Sequence, residues 1–413
     1  MRRQRGVALI LVLIALTVLG AMTVDLMEED SVYVSATANS RDALKAEYIA
    51  RSGVNLSRLM LSVQPLLGGQ FNFPFWQYAD IILEPFTASS GDGDSDGDGD
   101  SDGDEESGSM LTDMTGIDLS GAEGLGLPAG EELAVQIVDE DSKIQVNLNA
   151  DQTHARDLAV QQLLMLTSPM QYDELFNRAS GSDKSLTREE IVCEIIDFAD
   201  PDEELCDLSG GEDASSYDTK DAPYLRKNAP YDSLEELHLV NGIGDDFWAA
   251  FVDPDPTDPE RRVMTVWGKG RVNVNTASAQ TLLAEACYLA SDESGVSPCG
   301  DILTLANLAQ IIQGVLLIRT FMPFGNPSDF VKAIESPQEV LFMPLTGLPL
   351  PNKARARQVL TTRSSVFSIY AEGTVGNARK RIHAVVDMEG LDMLDPTKSV
   401  ASSGGKVLYW RMD

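Results

Sequence analysis

Basic residues are scarce in this chain of 413 residues. Lysine and arginine total 31 against 65 acidic residues, which gives a formal net charge of −34 at pH 7. A nucleic-acid partner is therefore not expected, because binding to phosphates requires a basic face. The negative charge is typical of a well-solvated protein outside the cytoplasm, and it also suits the binding of cations.

The sequence also lacks the common signatures of catalysis. It has no GxSxG, HExxH or GxGxxG motif and no P-loop, and its three histidines show no partner pattern with serine or cysteine. Acidic pairs are too numerous to single out a general acid and a general base. We therefore expect a protein that is not an enzyme, with a glycosidase or protease hidden in residues 151–350 as the lesser alternative.

Only four cysteines are present, and they form two local pairs, Cys193 with Cys206 and Cys287 with Cys299. Four cysteines permit three connectivities, which sequence alone cannot distinguish. In an oxidising compartment, pairing by proximity is the simplest hypothesis, so we expect two disulfides. A zinc–thiolate site is not favoured, since no CxxC or close histidine spacing occurs.

What the chain does have is a long hydrophobic run near its start. Arg2, Arg3 and Arg5 precede Gly6, and residues 7–24 carry no charge. A helix of that length covers roughly 27 Å, which is enough to cross the core of a bilayer. The arginines lie before the run, so we expect the N-terminus in the cytoplasm and the bulk of the chain outside it.

The helix is expected to continue beyond the apolar run. No proline occurs before Pro65, and apolar residues recur at helical spacing through residues 32–56. An ordinary signal peptide would instead end at a cleavage site, for which Ala21 and Thr23 are weak candidates. A simple membrane anchor is the other alternative.

Low-complexity sequence occupies residues 91–107, where Asp and Gly alternate. Such a segment cannot bury apolar surface, so a flexible acidic loop is the favoured interpretation. The window from Asp94 to Glu105 matches the EF-hand pattern, but an Asp-Gly repeat produces such matches easily and no flanking helices are evident.

The remaining pattern runs from strands to helices and back to strands. Residues 131–148 read as two strands joined by a hairpin turn at 141–143. Helical spacing follows from about 151 to 350, and β-rich segments return at 366–373, 384–388 and 407–410. We expect the strands on both sides of the helical insert to share one sheet.

A basic leader that ends in glycine and precedes a long apolar helix resembles a type IV prepilin. The resemblance implies cleavage by a prepilin peptidase between Gly6 and Val7 and methylation of the new N-terminus at Val7. Prepilins usually have Glu at the fifth mature position, which is Leu11 here. That absence fits a subunit at the end of a filament, which has no neighbour whose amine could pair with a buried carboxylate.

Several further segments resemble the K subunit of type II secretion systems, the large minor pseudopilin of the GspK family. They are DSKIQVNLNA at 141–150, IVCEIIDFADPDEE at 191–204, GGED at 210–213, APYLRKNAPYDSLEELHLVNGIGDDFW at 222–248 and GRVNVNTASAQTLLA at 270–284. Each motif is moderately specific, and together they cover much of the chain in the order of the family.

The resemblance implies an α+β fold in which a pilin-like N-terminal helix packs on an antiparallel sheet, with a large inserted all-α domain. The expected division is a leader at 1–6, a transmembrane and amphipathic helix at 7–64, the first part of the pilin-like domain at 65–150, the insert at 151–350 and C-terminal strands at 351–413. Such a subunit would be held in the inner membrane by one helix, with its bulk in the periplasm.

By the same resemblance, the protein would cap the tip of the pseudopilus with the I and J minor pseudopilins and help to initiate its assembly. Secreted substrates and the outer-membrane secretin are further expected partners. The family also implies calcium. The candidate ligands are Asp197, Asp200, Asp202, Glu203, Glu212 and Asp213. Calcium requires six to eight oxygen ligands, and a solvated acidic loop is the alternative interpretation.

Two segments, LHLVNGIGDDFWAAF and VNVNTASAQTLLA, resemble helix-hairpin-helix (SAM-like) elements. In other proteins these hairpins bind DNA backbones, but two aspartates follow this one, so we interpret both as structural scaffold. A calcium-dependent, membrane-anchored binding protein and a type IV pilus tip subunit remain the alternative functions.

Overall fold

The computed structural model describes residues 4–67, 74–79, 131–147, 155–177, 186–201, 206, 224–292, 295–389 and 405–413. The α-helices of the described residues are α1 (Gln4–Leu67), α2 (Ala155–Thr167), α3 (Asp173–Asn177), α4 (Arg188–Ala199), α5 (Asp245–Phe247), α6 (Ala279–Ala290), α7 (Ile302–Phe321), α8 (Pro327–Glu335), α9 (Pro337–Val340) and α10 (Ala356–Val359). Short 3₁₀ helices lie at Phe75–Tyr78, Met170–Tyr172, Leu234–Leu239, Pro259–Arg261, Pro298–Gly300 and Lys353–Arg355, and a π-helix at Trp248–Val252. The strands are β1 (Glu131–Asp139), β2 (Ile144–Gln145), β3 (Met264–Thr265), β4 (Val272–Asn273), β5 (Leu360–Thr361), β6 (Val366–Val375), β7 (Ala378–Asp387) and β8 (Lys406–Met412).

Helix α1 is continuous over 64 residues, which confirms the predicted extension beyond the apolar run. Its C-terminal half lies on the sheet through Ala46, Ala50, Val54 and Leu61, all buried and four to seven residues apart. The approach is closest at Gly373 of β6, where a β-carbon would lie 2.2 Å from the carbonyl oxygen of Ala46. The missing side chain therefore allows the helix backbone to reach the strand.

Strands from both sides of the insert share one four-stranded antiparallel sheet in the order β1-β6-β7-β8, as the sequence predicts. In the pairing of β1 with β6, Glu131 lies opposite Val375 and Asp139 opposite Phe367. Trp76, from the segment after α1, packs edge-on against Phe367 with 5.4 Å between the ring centroids. This small core joins α1 to one face of the sheet.

The predicted hairpin between β1 and β2 is wrong. Strand β2 does not fold back on β1 but pairs in parallel with β3, with Ile144 opposite Met264. The turn at 139–143 therefore directs the chain out of the sheet and into the insert. Alternating apolar residues specify a strand but not its partner, and a distant segment supplies the partner here.

The elements between β1 and β6 form a second and larger core. It extends from Ile144 to Leu360, beyond both 151 and 350, and includes the buried disulfide between Cys287 and Cys299. Four of its elements are two-residue strands, because β4 pairs in parallel with β5 as β2 does with β3. The expectation of an all-α insert is therefore corrected to a mainly helical one.

Candidate functional site

The N-terminal half of α1 leaves an apolar surface uncovered. The large apolar side chains between Leu9 and Val24 are all more than half exposed, whereas the C-terminal half packs on the sheet. This segment is long and apolar enough to cross a membrane. Gly6 and Val7 lie in the same helix, and Leu11, at the predicted fifth mature position, is 61% exposed.

Helix α7 is a second helix of sufficient length and apolarity to cross a membrane. One side of it lies in the core of the insert through Leu308, Ile311, Ile312 and Val315, all fully or almost fully buried. Leucine and phenylalanine side chains are exposed on its other side and at its end. Since α7 packs against α6 and α8, we interpret it as a core helix of the insert.

Two of the six candidate calcium ligands lie in the described part of the chain. Asp197 is on α4, and Asp200 follows the end of this helix; both side chains are buried. Both oxygens of Asp197 accept the Cys206 N–H at 3.0 Å, and Arg156 donates to Asp197 Oδ1 at 3.1 Å. Arg156 also lies 3.5 Å from Asp200 Oδ2. These contacts fit Asp197 as a support for the segment that follows.

The other four candidates, Asp202, Glu203, Glu212 and Asp213, lie outside the described residues, as does the 94–105 window. Within the part of the chain that the structure describes, no three His, Cys, Asp or Glu side chains are grouped so that they could hold a metal ion. The calcium ligands therefore stay a prediction.

Both disulfides pair the cysteines that are close in sequence, as predicted. The Cα atoms are 5.1 Å apart in Cys193–Cys206 and 5.8 Å apart in Cys287–Cys299. The first disulfide joins α4 to the residue whose N–H binds Asp197, so the covalent and hydrogen-bonded links hold the same point of the acidic segment.

Helix α4 is capped at its start by Thr187. The Thr187 hydroxyl accepts the Glu190 N–H at 3.2 Å, and the Glu190 carboxylate accepts the Thr187 N–H at 2.7 Å, which is a complete capping box. The cap places the buried face of α4 against the hairpin at Gly242. That glycine has φ +86°, and a β-carbon on it would lie 2.7 Å from Ile191 Cγ1.

The glycine hairpin thus faces the interior of the insert. The second helix-hairpin-helix segment is also held inside, because Arg319 of α7 donates hydrogen bonds to the carbonyls of Val274 and Ala277 at 3.0 and 2.7 Å. The N–H groups of Val274 and Ala277, the kind of donor that binds a phosphate, are engaged as well, because they donate to the carbonyls of Thr361 and Asn273. The packing therefore favours the scaffold interpretation of both segments.

Sequence reasoning missed a cluster at the end of β1. Asp139, Glu140 and Asp141 are no more than 5% exposed and are buried together with Lys143. The run DEDSK resembles a solvated turn, and only its last three residues, 141–143, fall inside one of the family-like motifs. Charged residues are rarely buried unless they are paired, so the cluster connects the sheet to the insert at a substantial energetic cost.

A long helix with a bare apolar half and a second half docked on an antiparallel sheet defines a pilin-like protein. A family model described as type II secretion system (T2SS), protein K, matches residues 135–252. This stretch of the chain is therefore similar to the protein K family, in agreement with the resemblance seen in its motifs.

One solved structure with a related chain is "The Crystal Structure of the GspK-GspI-GspJ complex from enterotoxigenic Escherichia coli Type 2 Secretion System". The match has 18% identity and a TM-score of 0.43, and it covers 69% of this chain and 80% of that chain. The likeness is too distant for the contacts of that protein to be transferred. A search among curated proteins finds no match.

Proposed function

We propose that this chain is a minor pseudopilin of a type II secretion system that caps the tip of the periplasmic pseudopilus and helps to initiate its assembly. The observation that carries the proposal is the division of α1. Its apolar half, Leu9–Val24, is uncovered by the rest of the chain, while Ala46–Leu61 lies on the sheet. The protein K match over residues 135–252 supports the type II system over a type IV pilus.

The uncovered half of α1 would first span the inner membrane and would then pack against the helices of other pseudopilins. Helices leave lipid without a hydrophobic penalty only when partner helices cover their apolar faces. The I and J pseudopilins are the proposed partners, and the insert would face secreted substrate or the outer-membrane secretin. In this function the protein is a structural component and not an enzyme.

The first test is leader processing. The full chain is expressed with and without a prepilin peptidase, and its intact mass and N-terminal sequence are measured. We expect a peptidase-dependent start at Val7 with the mass of one added methyl group, and Gly6→Val as the matched variant should block the cut. A start at Met1 in both cells, or a cut near Ala21, would contradict the proposal.

Tip assembly is tested by co-purification of the processed chain with the I and J pseudopilins. We expect a complex that contains all three proteins and that is lost when Leu16 and Leu19, both exposed in the apolar half of α1, are replaced by Asp. Leu225→Asp, an exposed position of the insert, is the control. Equal recovery of the complex from the wild-type chain, the Asp variant and the Leu225→Asp control would show that α1 does not form the contact.

Calcium is a second proposed feature, with Asp200, Asp202, Glu203, Glu212 and Asp213 as ligands and Asp197 supporting their segment through Cys206. Binding of Ca²⁺ to the full chain is measured by titration calorimetry. We expect Asp202→Asn and Asp213→Asn to weaken binding by at least tenfold, and Asp255→Asn, in a loop of the insert outside the proposed ligand segment, to leave it unchanged. Unaltered affinity in the first two variants would place the ion elsewhere.

A further inference from the structure

The sheet and the insert meet at the end of β1, where three consecutive carboxylates are buried. Asp139, Glu140 and Asp141 share this interior with a single buried ammonium group, Lys143, whose Nζ lies 3.2 Å from Glu140 Oε1. Three ionised carboxylates beside one cation would leave uncompensated charge in a buried site. The arrangement therefore favours one proton among the three carboxylates.

Glu140 is the member whose charge is compensated. Besides Lys143, it accepts hydrogen bonds from the hydroxyls of Thr265 in the insert and Ser368 in the sheet. Burial opposes its ionisation, but Lys143 and the two hydroxyls together lower the pKa of Glu140 below its usual value. The excess charge is thus left to Asp139 and Asp141.

Asp139 joins two loops of the insert to the sheet. Its Oδ2 accepts hydrogen bonds from the hydroxyls of Thr276 and Ser364, and its Oδ1 accepts the Asp141 N–H at 2.8 Å. A proton on Oδ2 also has an acceptor there, because Thr276 can turn its own hydroxyl hydrogen to the Asn273 carbonyl, 3.5 Å away. The site can therefore hold Asp139 in either protonation state.

Asp141 holds the chain where it re-enters the sheet. Its Oδ2 accepts the N–H groups of Ser365 and Val366 at 2.7 and 3.2 Å, and its Oδ1 accepts the Lys269 N–H at 3.1 Å. Burial raises the pKa of Asp141 in spite of these donors. For Asp139, burial and the charge of Asp141 raise the pKa to about 7.

The other charged or titratable groups around the cluster are Arg262, Lys269, Asp387, His383, Tyr370 and Glu235. Arg262 bonds to Asp253 at 3.0 Å, and the Lys269 ammonium bonds to Asp387 at 2.6 Å, so both cations have other carboxylate partners. Burial lowers the pKa of His383 to about 4, which keeps this ring neutral. Among the described residues, no ion pair joins a cation to Asp139.

We propose that the pair of Asp139 and Asp141 is a proton-linked clamp between the sheet and the insert. One proton held by the pair stabilises the closed junction, and this stabilisation declines as the pH rises towards neutrality, which loosens the insert from the sheet. The proposal concerns this junction alone and does not depend on the proposed role at the pseudopilus tip.

The direction of the pH effect follows from the linkage between proton binding and closure of the junction. The pKa of Asp139 is about 7 in the closed junction against 3.8 for the unperturbed group, so the closed state binds the proton more tightly. The stabilisation is complete below pH 4 and is lost as the pH rises through 7. Opening of the junction is therefore expected to increase by about tenfold per pH unit from pH 4 to 7 and to level off above that.

The test is hydrogen exchange with mass spectrometry on the full processed chain in detergent, at pH 5, 6, 7 and 8, corrected for the intrinsic pH dependence of exchange. The peptides that report on the clamp cover 263–276 and 360–368. Asp139→Asn imitates the protonated side chain and should keep these peptides protected at every pH. Asp255→Asn is the control for an Asp-to-Asn change elsewhere in the insert.

A second buried carboxyl, Glu285 of α6, also has a pKa raised by burial, to about 8. Glu285→Gln is therefore the control for a general effect of pH on the insert, and it should leave the pH dependence of the two junction peptides intact. The proposal would be overturned if exchange at the junction of the wild-type chain did not change with pH, or if Asp139→Asn kept the wild-type pH dependence. If the Asn variant does not fold, the pH dependence of exchange in the wild-type chain tests the proposal without it.

Discussion

At Gly373 the backbones of α1 and β6 are so close that the addition of a single methyl group tests the contact. A β-carbon there would lie 2.2 Å from the Ala46 carbonyl oxygen and 2.9 Å from the Ala50 nitrogen. Both are backbone atoms of α1, so no change of rotamer can relieve the contact. We expect Gly373→Ala to push the helix away from the sheet.

The magnitude follows from two opposing effects. Overpacking of a close contact costs about 1–3 kcal/mol, whereas removing a glycine from a strand stabilises the fold by roughly 0.5–1 kcal/mol. A net loss of about 1–2 kcal/mol corresponds to a factor of roughly 5–30 in local opening. Hydrogen exchange in peptides from residues 44–61 and 366–375 should accelerate by that factor.

Gly53, on the sheet-facing side of α1, supplies the matched control. A β-carbon there would meet the end of the Leu133 side chain at 2.7 Å, and a side chain can move aside where a backbone cannot. Alanine also gains about 1 kcal/mol over glycine in a helix interior. Gly53→Ala should therefore be close to neutral. Protection of the wild-type level in Gly373→Ala would refute the proposed docking of α1.

Three further predictions concern the insert, and each is measured by urea unfolding of the full chain. Replacing both Cys287 and Cys299 with serine should cost about 3 kcal/mol, because the disulfide closes a loop of 12 residues. Burial raises the pKa of Glu285 to about 8, so the stability it contributes is complete below pH 4.5 and is lost as the pH rises through 8. Glu285→Gln should flatten that fall between pH 5 and 9. Gly242→Ala should cost about 1–3 kcal/mol, since φ is +86° and the added methyl would meet Ile191.

Each of these has a control and a contrary outcome. Wild-type chain treated with a reductant, which opens both disulfides, should lose at least as much stability as the double serine variant, and no loss in either would mean that the disulfide is not a stabilising link. An unchanged pH profile in Glu285→Gln would mean that another group titrates. Gly244→Ala, where a β-carbon would meet no atom within 4 Å, is the control for Gly242→Ala. Equal stability of the two alanine variants would contradict the packing of the hairpin.

Local pattern was enough to determine the helix and the strand segments. The charge-free run of 7–24 and the absence of proline before Pro65 predicted α1, because helix formation depends on near neighbours. The cap of α4 is local in the same sense, since Thr187 and Glu190 are three residues apart. Cysteines 12 and 13 residues apart predicted both disulfides, since pairing of near neighbours needs little closure of the chain.

Tertiary structure decided which distant segments meet. The residues around Ile144 form a strand as expected, but their partner at Met264 is over a hundred residues away and cannot be read from alternation. The run from Asp139 to Asp141 has the composition of an exposed turn, yet hydroxyl and N–H donors from the β3–β4 region and from β6 surround it. Burial of a charge depends on donors that the fold brings from elsewhere, and for this reason the carboxylate clamp became visible only in three dimensions.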